Sequence, residues 1–289
     1  MRKLISLFVI LVFISSCKKT EDVTIPNNVA PPDHTIDSST ILIYTNKAYI
    51  NIVGREPLSN EKASALVILR QNNFSVDSRK QFLETLFSSP EYDKNIRNIA
   101  NTEYLKNTDS LDVAQQLFVF NNLLTQPQYA PFYAQIQFEI HRLDTLQNAL
   151  NDLNNGTLDF RGMLRRLVNN YFYDQINMGT ENFVVSTFQN FLFRYPTNYE
   201  LSEASNMVNG FNADVFLQLG KNKNDYIAVF FNSNDYYEGQ VRYVYKKYLF
   251  REPTSAEISF YTNIYKSTNN YKGLQKEIFS LNEYAGVNW

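Results

Sequence analysis

YINIVGREPLSNE (residues 49–61), FQNFLFRYPTNYE (residues 188–200) and YKKYLFREPTSAE (residues 245–257) are one pattern written three times. Each copy has an aromatic residue eight positions before a proline, bulky apolar residues five and four before it, an arginine two before it and a glutamate four after it. Arg55, Pro57 and Glu61 therefore correspond to Arg194, Pro196 and Glu200 and to Arg251, Pro253 and Glu257. A proline pushes the preceding residue out of the helical region, so Glu56, Tyr195 and Glu252 belong to a turn. Thr197 and Thr254, each followed three residues later by the glutamate, read as capping boxes that open a new helix. In the first copy Leu58 replaces the threonine, and Ser59 is the expected cap. Before the turn, Ile41, Tyr44, Ala48 and Ile52, and likewise Tyr237, Val241, Val244, Tyr245 and Tyr248, recur at steps of three and four, which marks one apolar face of a helix. The pattern is helix, turn, helix.

A second motif follows each copy: LFSSPEY (86–92), FFNSNDY (230–236) and IFSLNEY (278–284), each with a Phe and then a Tyr five later. A looser version, LVNNYFY (167–173), is followed by Asp174 and points to a fourth, degenerate unit whose first motif is lost. Polar loops such as Gln71-Asn72-Asn73 separate the second helix from a third that carries the Phe. Residues 111–124 and 136–153 also read as helices, and no run alternates with period two. The expectation is an all-α protein of repeated three-helix units, divided into an N-terminal helical domain (41–178) and a C-terminal one (179–289) holding two units.

The rest of the composition agrees with a packed chain. Of 289 residues 44% are hydrophobic and 19% charged, and 22 Phe, 20 Tyr and 1 Trp supply large apolar areas. With 27 basic and 29 acidic side chains the formal net charge is -2, which argues against nucleic acid as a partner. Residues 1–16 carry Arg2 and Lys3, an apolar run from Leu4 to Ile14, and Ser15-Ser16 before Cys17, the organisation of a cleaved secretory signal. That run is shorter than the about 20 residues a bilayer span needs. Residues 17–40, with Pro26, Pro31 and Pro32 and no apolar periodicity, read as a flexible tether. Cys17 is the only cysteine, so no intramolecular disulfide is available.

The tetrad Ile14-Ser15-Ser16-Cys17 resembles the bacterial lipobox, with Ile14 in place of the usual Leu. The resemblance implies a covalent lipid on Cys17, with a diacylglycerol and further acylation (palmitate-type chains) anchoring the chain. Lys18 rather than Asp at the next position implies sorting to the outer membrane, and Lys18, Lys19, Glu21 and Asp22 resemble the export tag of surface lipoproteins of Bacteroidota. The side of the membrane, periplasmic or cell-surface, stays open. The G-R-x-P-x-x-x-E turn with its S-x-E-Y partner resembles the helical units of phycobilisome linkers and of cytochrome-associated helical domains in exported bacterial proteins. Phe193 and Phe250 stand where the first copy has Gly54. Linker-type relatives hold other proteins together, which implies an assembly role.

No catalytic set is legible. A cation and an anion six residues apart across a turn can bind a ligand, but an arginine that ties down turn carbonyls and the capping glutamate explains three copies more simply. Glu61, Glu200 and Glu257 look like caps rather than a hydrolytic carboxylate pair. His34 and His141 are too few for a histidine metal cluster, and neither sits in a nucleophilic triad; there is no haem, phosphate-loop or calcium-loop motif. Tyr-rich stretches at 129–133, 171–173, 236–237 and 243–248 are either stacking platforms for sugars or partners, or the edge of a helical core. The resulting expectation is a non-enzymatic envelope lipoprotein, without a cofactor other than its lipid, that acts as a binding or scaffold subunit of an outer-membrane or surface complex. The alternative is a glycan-binding lipoprotein of a nutrient uptake system.

Overall fold

The computed structural model describes residues 36–288. The expected signal, Cys17, His34 and all but the end of the expected tether lie outside the described residues. The tether reading also runs too far. Helix α1 (Ser38–Ile52) opens at Asp37, whose carboxylate accepts the Ser39 N–H at 3.3 Å and the Ser39 hydroxyl at 2.7 Å.

The described chain is all-α apart from one small hairpin. The first unit is α1, α2 (Ser59–Arg70) and α3 (Val76–Phe87), with a 3-10 turn at Gln71–Phe74. Next come α4 (Pro90–Leu105), α5 (Ser110–Leu123), a 3-10 segment (Pro127–Phe132), α6 (Tyr133–Gln147), α7 (Ala149–Asn154), α8 (Phe160–Val168) and α9 (Tyr171–Ile176). The second copy is α10 (Thr180–Leu192), α11 (Asn198–Val208) and α12 (Lys223–Asn232). The third is α13 (Asn234–Leu249), α14 (Ser255–Thr268) and α15 (Tyr271–Phe279), closed by α16 (Asn282–Ala285). Between α11 and α12, β1 (Ala213–Val215) pairs antiparallel with β2 (Gln218–Gly220). Three residues per strand are too few to leave a readable alternation.

Capping follows the sequence in two copies and departs from it in one. Thr197 and Thr254 accept from the Glu200 and Glu257 N–H groups while those glutamates return to the threonine N–H at 2.8 and 2.7 Å. In the first copy Leu58 itself holds the extended N-cap conformation, which makes Ser59 the first helical residue rather than the cap; Glu61 alone reaches back, accepting the Leu58 N–H at 2.7 Å.

The degenerate unit becomes visible in three dimensions. Asp109 caps α5 and Asp112 accepts the Asp109 N–H at 2.9 Å, so Lys106, Thr108, Asp109 and Asp112 stand where Arg, Pro, Thr and Glu stand in the intact C-terminal copies. The box survives without the arginine and proline.

The described body forms one compact unit. No boundary falls at 178/179, because the first unit closes onto the last. Tyr44 donates its hydroxyl to the Phe279 carbonyl at 3.2 Å, and Lys47 Nζ donates to the Tyr284 carbonyl at 3.2 Å. Arg79, only 1% exposed, donates from α3 to the Phe74 carbonyl at 3.0 Å and across to the Ser280 carbonyl at 2.9 Å. A buried guanidinium that satisfies carbonyls on two units clamps them together.

Fourteen of the 20 tyrosines are buried, including Tyr173, Tyr236, Tyr237, Tyr245 and Tyr248. The stretch at 236–237, with Tyr173, Tyr245 and Tyr248, is therefore core rather than a stacking surface, whereas Tyr129, Tyr133, Tyr171 and Tyr243 are half-buried. Several of the buried hydroxyls find internal partners: Tyr92 donates to Gln275 Oε1 at 2.8 Å, and Tyr173 and Tyr284 accept from the Asn190 and Asn51 amides at 3.1 and 2.9 Å. Burial pushes the pKa of these phenols well above the ordinary tyrosine value, which keeps them neutral.

Candidate functional site

The three motif arginines do the same thing three times. The helix before each turn ends in a left-handed residue, at Gly54 (φ 84°), Phe193 (φ 56°) and Phe250 (φ 57°), and this reversal turns the following arginine back over the motif. Arg55, Arg194 and Arg251 lie over the rings of Tyr49, Phe188 and Tyr245 at 5.7, 5.0 and 4.9 Å, which explains the aromatic residue eight before each proline. Each arginine then grips its capping glutamate with two parallel bonds: 2.8 and 2.8 Å for Arg55–Glu61, 2.8 and 2.6 Å for Arg194–Glu200, and 2.9 and 2.7 Å for Arg251–Glu257.

The second motif supplies a further acid. Glu91, Asp235 and Glu283, each directly before the motif tyrosine, close on the same arginines. Glu91 and Glu283 bind Arg55 and Arg251 in bidentate fashion at 2.7–2.9 Å, whereas the shorter Asp235 reaches Arg194 Nη2 once at 2.6 Å. With the carbonyls of Glu56 and Glu252 also accepting at 3.1 Å, all five N–H groups of Arg55 and of Arg251 are engaged. No donor is left for a ligand, so these positions are structural pins. Hydrogen bonds from Arg55 and Arg251 hold Glu61 and Glu257 down to about 2. Burial opposes this at Glu200 but is outweighed by Arg194 and Thr197, leaving its carboxyl below the usual range. Pro57 and Pro253 are buried in their turns and Pro196 is half-buried.

Two other features have the character of sites. Residues 113–138 contain no Asp, Glu, Lys or Arg. They form α5, the 3-10 segment and the start of α6, a helical hairpin in which α5 packs chiefly on α6 and buries only Val113. Its exposed side carries Phe118 (73% exposed), Val119, Phe132 and Phe138, with Leu111 at 62% just before the charge-free run. The sequence marked these helices but not their unburied apolar side.

The second feature is a cleft of about 490 Å³ between α6, α8 and α12, lined by Phe138, His141, Arg142, Leu158, Arg165, Arg166, Asn169, Asn224 and Ile227 among others. His141 is exposed at its edge. Among the described residues no group of three His, Cys, Asp or Glu is placed to hold a metal ion, and no helix is long and apolar enough to cross a membrane. Set beside known protein families, curated proteins and solved structures, the chain matches none of them.

Proposed function

We propose that the protein is a lipid-anchored envelope lipoprotein, carried to the outer membrane on Cys17, whose helical body acts as a binding or scaffold subunit of a larger membrane or surface complex. The observation that carries this reading is the uncharged hairpin. Large apolar side chains that an uncharged helical hairpin leaves open support a protein contact, since exposed Phe118, Val119, Phe132 and Phe138 lose nothing polar when covered. Burial of most tyrosines speaks against the Tyr-rich helices as that surface, and the saturated Arg55 and Arg251 speak against the turns that hold them. The linker-like resemblance of the turns agrees with a role in assembly.

The test is gentle detergent extraction of tagged protein from its native membrane with mass spectrometry of what co-purifies. A partner at near-equal amount is expected, and Phe118→Ser with Val119→Ser should release it while the melting temperature stays put. Extraction of the chain alone, or a partner retained by the double variant, defeats the proposal. Cys17→Ala should move the protein to the soluble fraction; retention in the membrane would contradict lipidation.

A further inference from the structure

The cleft between α6, α8 and α12 holds one cation that forms no ion pair among the described residues. Arg142 is matched by Glu139 at 2.6 Å and Asp174 at 2.7 Å, and its Nε donates to the Asn169 carbonyl. Arg166 is matched by Asp152 at 2.6 Å and also donates to the Thr145 carbonyl at 3.0 Å. Lys223 from α12 closes on Asp174. Arg161, one turn before Arg165, donates to Asn232 Oδ1 and the Tyr237 hydroxyl. The remaining acid that Arg165 feels, Asp159, is the α8 N-cap, accepting the Gly162 N–H at 2.6 Å and the Asn269 amide. Arg165 itself is half-buried; its carbonyl accepts the Asn169 N–H at 3.0 Å, but among the described residues its guanidinium makes no hydrogen bond or ion pair. Burial and then the neighbouring Arg161 both act against its charge. Taking a guanidinium part-way out of water without a counter-ion is costly, and a ligand that brings the anion removes that cost.

We infer that this cleft binds a singly charged, hydroxyl-bearing organic carboxylate of sugar-acid size, held by the Arg165 fork. One uncompensated guanidinium fits one carboxylate, gripped by two parallel bonds. The volume, about 490 Å³, is far larger than a bare inorganic ion needs and is of the order of small-molecule sites. Beside the arginine, Asn169 donates to Asn224 Oδ1 at 3.0 Å, and this pair of amides and the His141 ring offer hydrogen-bond partners for hydroxyls. Phe138, Leu158 and Ile227 form the apolar wall against which a ring lies flat. This goes beyond the docking reading and does not depend on it.

Calorimetric titration of the purified full chain with glucuronate, hexanoate, sulfate and glucose separates the possibilities. Glucuronate is expected to bind, with hexanoate and sulfate at least tenfold weaker and glucose undetectable. Arg165→Gln should weaken glucuronate at least tenfold with an unchanged melting temperature, since Arg165 ties nothing together, and Arg165→Lys should recover only part of it. Sulfate or hexanoate binding as well as glucuronate, binding unaffected in Arg165→Gln, or no heat with any probe would each overturn the assignment.

Discussion

The first and second arginine turns reach the same geometry by opposite means. In the first, Asn95, four residues after the acid Glu91, donates its amide to the Asn51 and Ile52 carbonyls at 3.1 Å each and so closes the end of α1 with a side chain. Gly54 is then the residue that fits below it: a Cβ there would lie 2.6 Å from Asn95 Oδ1, and its φ of 84° favours glycine as well. In the second turn the position four after Asp235 is Gly239, and the end of α10 comes directly against the α13 backbone. A Cβ on Gly239 would stand 1.9 Å from the Phe191 carbonyl oxygen. The glycine has moved from the turn to the helix it packs on, and a phenylalanine, Phe193, takes the left-handed position. A repeated motif can thus keep its ion pair while the steric solution around it is exchanged.

The comparison can be broken most severely at Gly239. Gly239→Ala must part α10 from α13 and should cost about 3 kcal/mol or more by chemical denaturation, because backbone atoms cannot rotate away. Arg251→Ala comes next, at about 1–2 kcal/mol: it strands two partly exposed carboxylates and the Glu252 carbonyl, with solvent screening limiting the loss. Asn95→Ala removes the amide cap special to the first turn and should cost about 1 kcal/mol, with no counterpart in the second. Phe250→Gly goes the other way. Phe250 is 84% exposed in a left-handed conformation, so the substitution should stabilise by about 1 kcal/mol. Phe193→Gly should gain less, because the Phe193 ring stacks on Tyr243 at 6.1 Å.

The smallest effect is a pH dependence. Glu61 and Glu257, ordinarily near 4.5, are held at about 2 by their arginines, so folding keeps them ionised. Their contribution is complete above about 4.5 and is lost as pH falls toward 2. Melting temperatures between pH 5 and 2 should therefore drop less steeply in Glu257→Gln than in the unaltered protein.

The helical fold was legible because its signals are local: the periodic apolar face, the proline and the Thr-x-x-Glu box all act within a few residues. The pairing of Arg55 with Glu91, Arg194 with Asp235 and Arg251 with Glu283 was not, since the partners stand 32 to 41 residues apart. A signal did exist. The residue before the motif tyrosine is acidic wherever the arginine is present and is Phe172 in the unit that has Lys106 instead. Ser59 failed as a cap because the N-cap position is set by backbone conformation, and Leu58 already occupies it. The tyrosines look amphipathic in sequence; their burial depends on partners such as Gln275 and Asn190 that no local pattern reveals. Arg165 was hidden among arginines whose carboxylates come from elsewhere in the chain.

The meeting of α1 with α15 and α16 shields faces that an open array would leave bare. An open stack of repeats needs polar end units to shield the faces that have no neighbour. Here the first face is covered by the last unit, through Tyr44 against Tyr284 at 5.9 Å and the Asn51 amide on the Tyr284 hydroxyl. Among the described residues the array is a closed circuit, with its first helix beside its last. The seam takes the place that a polar end unit fills in an open stack, and a repeat inserted between the first unit and the last would have to part it.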